Sequence, residues 1–490
     1  MGLRIHNTLT RQKDPFVPLV PGQVSLYVCG ITPYDLSHIG HARSALVFDV
    51  IARYLEHAGY RVTFVKNYTD VDDKIIARAN QLKVPIAELT ERYITAYEAD
   101  MARLGIRPPT RAPRATAHIP EMVALVERLV TAGAAYVVDG DVYFEVARFP
   151  TYGRLSGKNL DELLAGARVD VNERKRDPRD FALWKGAKPG EPSWPSPWGP
   201  GRPGWHIECS AMAMKYLGET LDLHGGGEDL IFPHHSCEIA QSEAVTGKPF
   251  ARFWVHNGFV NLGAEKMSKS LGNTLTVEAQ LGRYDPDALR LYLLQTHYRN
   301  PVEFSEEGVA GMRRPLERFR ELVEQFRGLM DQAGKLVPTE PEDPPDGTFL
   351  SEVAALRKRF EAAMDDDFNT PQAIGALNLL GTALTEEHKR VRAGERSGHD
   401  FVAGVDILIR LGKVLGLSMT GNESAQAQGF EPERRAHIDA LVREREEARR
   451  RRDWARADAL RAELDALGVA LEDAPTGTKW KRKSGTPTAR

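Results

Sequence analysis

The chain has 490 residues, of which 42% are hydrophobic and 27% charged, a composition that excludes a disordered or fibrous chain and leaves room for roughly three globular domains. The net charge of −3 names no partner, and no apolar run approaches the roughly 20 residues that span a bilayer. The opening MGLRIHNTLTRQKDP has no apolar signal core and no Ser or Thr at position 6, so a cytoplasmic protein with no membrane partner is expected. Three widely spaced cysteines, Cys29, Cys209 and Cys237, argue against a disulfide framework and leave core packing or metal binding as their uses.

In chain order, VSLYVCG (24–30) reads as a strand, and SHIGHARSALVFDVIARYLEHAGY as a helix capped by Ser37. RVTFVKN (61–67) and DVDDKIIARANQL repeat the pattern. This βαβ rhythm predicts an α/β fold with a Rossmann-like parallel sheet whose ligands sit at the strand C-termini. From about Pro108 to Pro203 the rhythm breaks into the strand GDVYFEV, the turn and helix RLSGKNLDELLAGARV and a stretch rich in Pro, Gly and Trp, which together read as an insertion. GWHIECSAMAMKYLG, LDLHGGG and FWVHNGFVNL resume helix and strand.

From YDPDALRLYLLQ onward the pattern is helical, with four long amphipathic segments that predict an α-helical bundle. A polar linker, SMTGNESAQAQGF, leads to a charged helical region. The predicted organisation is 1–280 (insertion about 108–203), 281–420, and a small charged C-terminal domain over 430–490. That last region holds 15 Lys and Arg against 12 Asp and Glu, so a solvated helical hairpin explains most of it. Its end, PTGTKWKRKSGTPTAR, carries Lys479, Lys481, Arg482, Lys483 and Arg490 with no acid. It reads either as a frayed tail or as a segment that meets phosphates and stacks Trp480 on a base.

Two short motifs carry chemistry. In HIGH, His38 and His41 lie three apart at a helix start, where both imidazoles can donate to one phosphate and Gly40 lets it approach the backbone. Two incidental cap histidines would look the same. KMSKS (266–270) places Lys266 and Lys269 between glycines, suited to neutralising a leaving pyrophosphate. No Walker A and no G-x-G-x-x-G sequence occurs. Cys29 ends the first strand, Cys209 begins a helix, and His234 and Glu238 lie four apart, a set of donors that suits zinc. By spacing alone Cys237 competes with Glu238.

The paired motifs resemble the class I aminoacyl-tRNA synthetases. With YVCG, NYTDVDDKI, DFALWK, GWHIECSAM, LDLHGGGEDLIFPHH, EIAQSEA, KMSKSLGN and DDDFNTP, nearly the whole chain is similar to the cysteinyl-tRNA synthetase family. The resemblance implies a catalytic Rossmann-like domain, an anticodon-binding bundle and a tRNA-binding C-terminal domain. It implies zinc held by Cys29, Cys209, His234 and Glu238, and L-cysteine, ATP with Mg²⁺, and tRNA(Cys) as partners of a monomer. His38, His41, Lys266 and Lys269 would be catalytic. Gly40, His41, Gly225, Gly227, Asp229 and Lys269 would bind ATP, and Gly30, Thr69, Asp70 and Trp205 the amino acid.

One departure stands out. Ile31, Thr32 and Pro33 follow Cys29 and Gly30 where the family more often shows Pro then Thr, which also resembles the cysteine ligase of mycothiol synthesis. Glu238, EIAQSEA and the additional C-terminal region weigh against that relative. The intact signature residues weigh against a non-catalytic tRNA-binding paralogue.

Overall fold

The computed structural model describes residues 2–157, 175–262, 265–266, 275–332, 344–419, 432–474 and 477–482. They fall in two compact units, Met1–Leu417 and Ser418–Arg490. The first opens with the antiparallel pair β1 (Arg4–Asn7) and β2 (Gln12–Pro15), followed by β3 (Gln23–Ile31), α1 (Ile39–His57) and β4 (Arg61–Tyr68). Then come α2 (Asp73–Leu82), α3 (Ile86–Arg103) and α4 (Ile119–Thr131). The cap of α1 falls on His38 and not on the predicted Ser37: the His38 ring accepts from the Gly40 N–H, and His41 accepts from the His38 N–H. Imidazoles thus perform the reciprocal capping that Ser and Glu usually supply.

The predicted insertion contains an antiparallel sheet of its own, β5 (Ala135–Val138), β6 (Asp141–Phe144), β7 (Phe181–Gly186) and β8 (Gly201–Pro203), in that spatial order. The helix predicted in RLSGKNLDELLAGARV lies, beyond Gly157, outside the described residues. The chain then returns through α5 (Trp205–Leu217), β9 (Leu221–Gly227), α6 (Ser236–Thr246) and β10 (Ala251–Asn257). The main sheet is parallel, in the order β10-β9-β3-β4. Its order reverses between β3 and β9, so the crevice for ligands opens at their carboxyl ends. Those ends carry Cys29, Gly30 and the three glycines 225–227. One buried core, running from Tyr27 and Val65 through Trp184 to Trp254, joins the main sheet to the insertion.

Beyond β10 lie β11 (Val260–Leu262), β12 (Glu265–Lys266), α7 (Val277–Leu281), α8 (Pro286–Leu294) and β13 (Val302–Glu303). A short α9 (Glu306–Gly311) leads into the four predicted bundle helices: α10 (Arg313–Gln332), α11 (Phe349–Asp365), α12 (Thr370–Arg392) and α13 (Gly398–Val414). A buried ion pair fastens the bundle to the catalytic helix. Arg290 of α8 binds Asp49 of α1 and donates to the Leu104 carbonyl at 3.0 Å and the Leu415 carbonyl at 2.5 Å. Gly416 (φ +71) passes so close that a Cβ there would stand 2.0 Å from the guanidinium, which forbids any other residue.

The second unit is a hairpin of α14 (Pro432–Arg450) and α15 (Trp454–Ala466) followed by β14 (Val469–Ala474) paired with β15 (Gly477–Arg482). The frayed-tail reading needs correction over 477–482, where the chain is a paired strand. Trp480 lies opposite Leu471 and packs on Ile438, Leu460 and Leu464, so it is core of this unit. Alternation of Thr478, Trp480 and Arg482 with lysines is the period-2 pattern of a half-buried strand. Residues 483–490 lie outside the described residues.

Burial favours the neutral form of Asp49, yet Arg290 and Arg53 outweigh it and hold the carboxyl below the ordinary range. A lowered carboxylate stabilises the fold above its unfolded pKa, and the effect fades as pH falls through the folded one. Arg290→Met should therefore lower the unfolding free energy by about 3 kcal/mol near neutrality, and less at a pH where Asp49 is protonated. Denaturant titrations at both pH values measure the difference.

Candidate active site and metal centre

Four donor atoms converge where the sequence placed them. The Sγ atoms of Cys29 and Cys209, one His234 nitrogen and one Glu238 oxygen all lie within 4.8 Å of one another. Cys29 Sγ is 3.3 Å from His234 Nε2 and 3.2 Å from Glu238 Oε1, and those two are 3.1 Å apart. The register of β3 against β4 shifts between Val28 and Ile31, a bulge that re-aims Cys29 at the crevice. Cys209 comes from the second turn of α5. His234 and Glu238 come from the π-helical turn Ile231–His235 and the start of α6. Cys237 faces away and meets the Tyr152 hydroxyl at 3.3 Å, which decides the competition with Glu238.

The electrostatics ask for a cation. Burial opposes ionisation of Glu238, but His224 and His234 hold its carboxyl well below the usual range. Burial likewise acts to raise the Cys209 thiol, while contacts with Cys29 and His234 bring it down to about 6. Burial and the same neighbour push Cys29 up. Against its own burial, His234 is raised to about 10 by Glu238 and Cys209. The neighbours thus favour positive charge at His234, a role that a divalent ion bound by the same donors would take over. Two thiols, an imidazole and a carboxylate in tetrahedral reach fit such an ion.

The surroundings orient these donors. His206 Nδ1 lies 2.9 Å from His234 Nδ1, which leaves Nε2 directed at the thiols, and His224 Nε2 holds the other Glu238 oxygen at 2.9 Å. His235, fully buried, pairs through Nδ1 with His256 at 2.7 Å, while its Nε2 lies 3.9 Å from Glu238 Oε1, in a second possible donor group with Cys29, His224 and Glu238. Trp205, 38% exposed, stacks on the His234 ring with centroids 4.5 Å apart and walls the cluster on its open side. Beside Trp205 and His206 a cleft of about 810 Å³ runs past Tyr143, Phe181, Lys185 and Lys188 of the insertion.

The other predicted residues divide. Thr69 is buried and bonded to Asn67, whose carboxamide oxygen takes the Gly30 N–H at 2.9 Å. Both oxygens of Asp70 accept from Thr116, one from the backbone N–H and one from the hydroxyl, which fixes the orientation of the carboxylate. The absent side chain of Gly225 answers to packing, since a Cβ would stand 2.2 Å from the Phe48 ring of α1. A Cβ on Gly227 would meet the exposed Asp229 carboxylate at 2.5 Å, and one on Gly40 the His38 ring at 2.9 Å. The rings of His38 and His41 stack at 3.8 Å. Because each accepts a backbone proton on Nδ1, each neutral ring carries its own proton on Nε2 and can donate it to an anion. The side chain of Lys266, and Lys269 altogether, lie outside the described residues.

Residues 15–314 match the family model described as the tRNA synthetases class I (C) catalytic domain. A cysteine–tRNA ligase of Geobacter sulfurreducens is 51% identical over 494 residues, covering 99% of this chain and all of that one. The chain belongs to the cysteine–tRNA ligase family. Residues 359–420 match the DALR domain and 431–480 the cysteinyl-tRNA ligase anticodon binding domain. A second member of the family, from Alkalilimnicola ehrlichii, is 52% identical across 98% of this chain and all of its own. In fold the chain is similar to a methionyl-tRNA synthetase of Mycobacterium tuberculosis solved with methionyl-adenylate (TM-score 0.59, 19% identity, 85% of this chain and 96% of that one). It is likewise similar to a leucyl-tRNA synthetase of Agrobacterium radiobacter solved with tRNA (TM-score 0.59, 14% identity, 84% and 86%). These two likenesses bear on the fold alone.

Sequence reasoning missed His224 and Asn67 as supports of the cluster in this family member. His224 stands inside the quoted LDLHGGG, and its inward position on a buried parallel strand was the available sign; Asn67 gave none. Gly30 is the most constrained position, since a Cβ there would lie 1.5 Å from the Asn67 carbonyl oxygen. Gly30→Ala should cost at least about 2 kcal/mol of unfolding free energy, measurable by urea denaturation.

Proposed function

We propose that this chain is a cysteine–tRNA ligase that selects its amino acid by the thiol. The carboxylate of cysteine attacks the α-phosphorus of ATP, expelling pyrophosphate and forming cysteinyl-adenylate. A terminal ribose hydroxyl of tRNA(Cys) then takes the acyl group and AMP leaves. The observation that carries the reading is the convergence of Cys29, Cys209, His234 and Glu238 at the mouth of a class I sheet.

Those four residues would hold zinc, which when bound supplies a borderline-soft Lewis acid that prefers thiolate to hydroxyl. Trp205 closes over the thiol subsite, and Thr69 and Gly30 shape the place of the amino acid backbone. His38 and His41 donate from Nε2 to the α-phosphate, stabilising charge as it grows. Lys266 and Lys269 accompany the pyrophosphate, with Mg²⁺ arriving on ATP, and Lys269 is the stronger candidate. The adenosine side is assigned to Gly40, Gly225, Gly227 and Asp229. No general base is needed for the first step, because the attacking carboxylate is already ionised.

The cleft beside Trp205 is assigned to the single-stranded acceptor end of the tRNA: its aromatic rings offer stacking surfaces, while its four cations are matched by five aspartates. The bundle and the second unit would engage the rest of that RNA. A monomer in the cytoplasm, where ATP and tRNA meet, completes the reading.

Purified protein should charge tRNA(Cys) with cysteine and discriminate against serine by about 10⁴-fold or more without editing, as a site built around one polar handle does. Absence of cysteine charging, or comparable charging with serine, refutes the reading. Separately, Cys209→Ser should drop the zinc content below half an equivalent and slow cysteine-dependent ATP–pyrophosphate exchange by more than about 100-fold. Metal analysis and the exchange assay on one preparation check both.

A further inference from the structure

Arg43 is fully buried in α1, two residues beyond His41, yet it faces neither the metal centre nor any carboxylate partner within hydrogen-bond distance. One nitrogen, Nη2, donates to three backbone carbonyls: Asn300 at 2.6 Å, His297 at 3.2 Å and Tyr298 at 3.3 Å. Nε and Nη1 are buried and have no hydrogen-bond partner among the described residues. Leaving such donors unsatisfied costs stability, and an apolar side chain would avoid that cost. A guanidinium kept here on those terms has some task other than maximal stability.

The carbonyls it gathers belong to a turn that supports the strand leading to Lys266. The Gly258 N–H donates to the Tyr298 carbonyl, Val302 N–H to Phe259 and Phe304 N–H to Asn261, each at 2.9 Å. β13 runs parallel to β11, and β11 pairs with β12 through Asn261 opposite Lys266. Gly258 approaches the turn so closely that a Cβ would lie 2.7 Å from the Asn300 carbonyl carbon. Further along the chain, the Ile39 N–H donates to the Leu275 carbonyl and Val277 N–H to Ser37, each at 2.9 Å. The helix that carries HIGH is therefore bonded to the backbone on both sides of KMSKS: directly at 275–277, and through Arg43 at 258–266.

We propose that Arg43 is a positioning residue for adenylate formation: it fixes the backbone at Lys266 relative to His38 and His41, so that the two signature motifs address one ATP in register. The role rests on the cysteine–tRNA ligase reading, because only a reaction that uses both motifs at once needs them held together. The guanidinium meets these carbonyls through its terminal Nη2, a position that lysine's shorter stem does not reach. A misplacement of about 1 Å between reacting groups is enough to cost roughly 100-fold in rate.

Arg43→Lys keeps the charge and loses the reach to the three carbonyls. Its kcat in cysteine-dependent pyrophosphate exchange should fall at least about 10-fold. Zinc content, the calorimetric Kd for cysteine, and the rate of transfer from supplied cysteinyl-adenylate to tRNA(Cys) should stay within about threefold of wild type, since none of them uses the KMSKS side of the site. Exchange at the wild-type rate overturns the proposal. So does a matching loss of exchange, cysteine binding and transfer, which would mark Arg43 as a general prop. Gly258→Ala perturbs the same turn from the opposite side and should give the same split, so an unfolded Arg43 variant does not end the test. Wild-type protein is the control for the reading beneath: if it shows no cysteine-dependent exchange, the ligase assignment fails whatever Arg43 does.

Discussion

The structure turns on a charge that must be balanced in a dry place. Two thiols, an imidazole and a carboxylate meet at the reversal of strand order in a parallel sheet, each 9% exposed or less. At low dielectric a thiolate beside a carboxylate is costly unless a positive charge stands between them. The protein's own remedy is His234, raised to about 10. Everything around the cluster serves that balance: His206 and His224 fix ring and carboxylate orientations, Trp205 lies over the His234 ring, and the bulge at the end of β3 turns Cys29 inward. Holding a divalent cation, as proposed, such a centre would favour sulfur over a hydroxyl.

Much of this was legible in the sequence, because the elements that build the site obey local rules. β3, α1, β4 and the four bundle helices follow from periodicity, and the two signature motifs bracket them. The four donors followed from the family resemblance, while spacing alone left Glu238 and Cys237 tied. The structure breaks the tie through Tyr152, which comes from the insertion and holds the Cys237 thiol on the far side of α6. No local pattern announces such a contact.

The misreadings share a cause. Trp480 among lysines looked like part of a frayed tail, since a two-stranded hairpin is marginal in isolation; tertiary packing on α14 and α15 makes it a strand. The α1 cap moved from Ser37 to His38 because the ring of His41 returns the hydrogen bond. In each case a partner remote in sequence, or an unusual acceptor, displaced the locally preferred role.

The functional motifs are not separate patches on this scaffold. Asp49, Arg43 and His41 project from α1 and His38 caps it, so a single helix meets the bundle, the turn beside the strand entering KMSKS and the proposed phosphate subsite. The insertion contributes the cleft wall beside Trp205. This economy explains why one βαβ unit carries so much of the recognisable sequence.

The central claim is that the substrate is known by its sulfur, and X-ray absorption at the zinc edge addresses it most directly. Spectra of the purified protein should fit two sulfur scatterers, from Cys29 and Cys209, and three after cysteine is added, with no change on adding serine. A metal shell that stays at two sulfurs with cysteine bound, or a protein that binds cysteine without metal, would contradict the account.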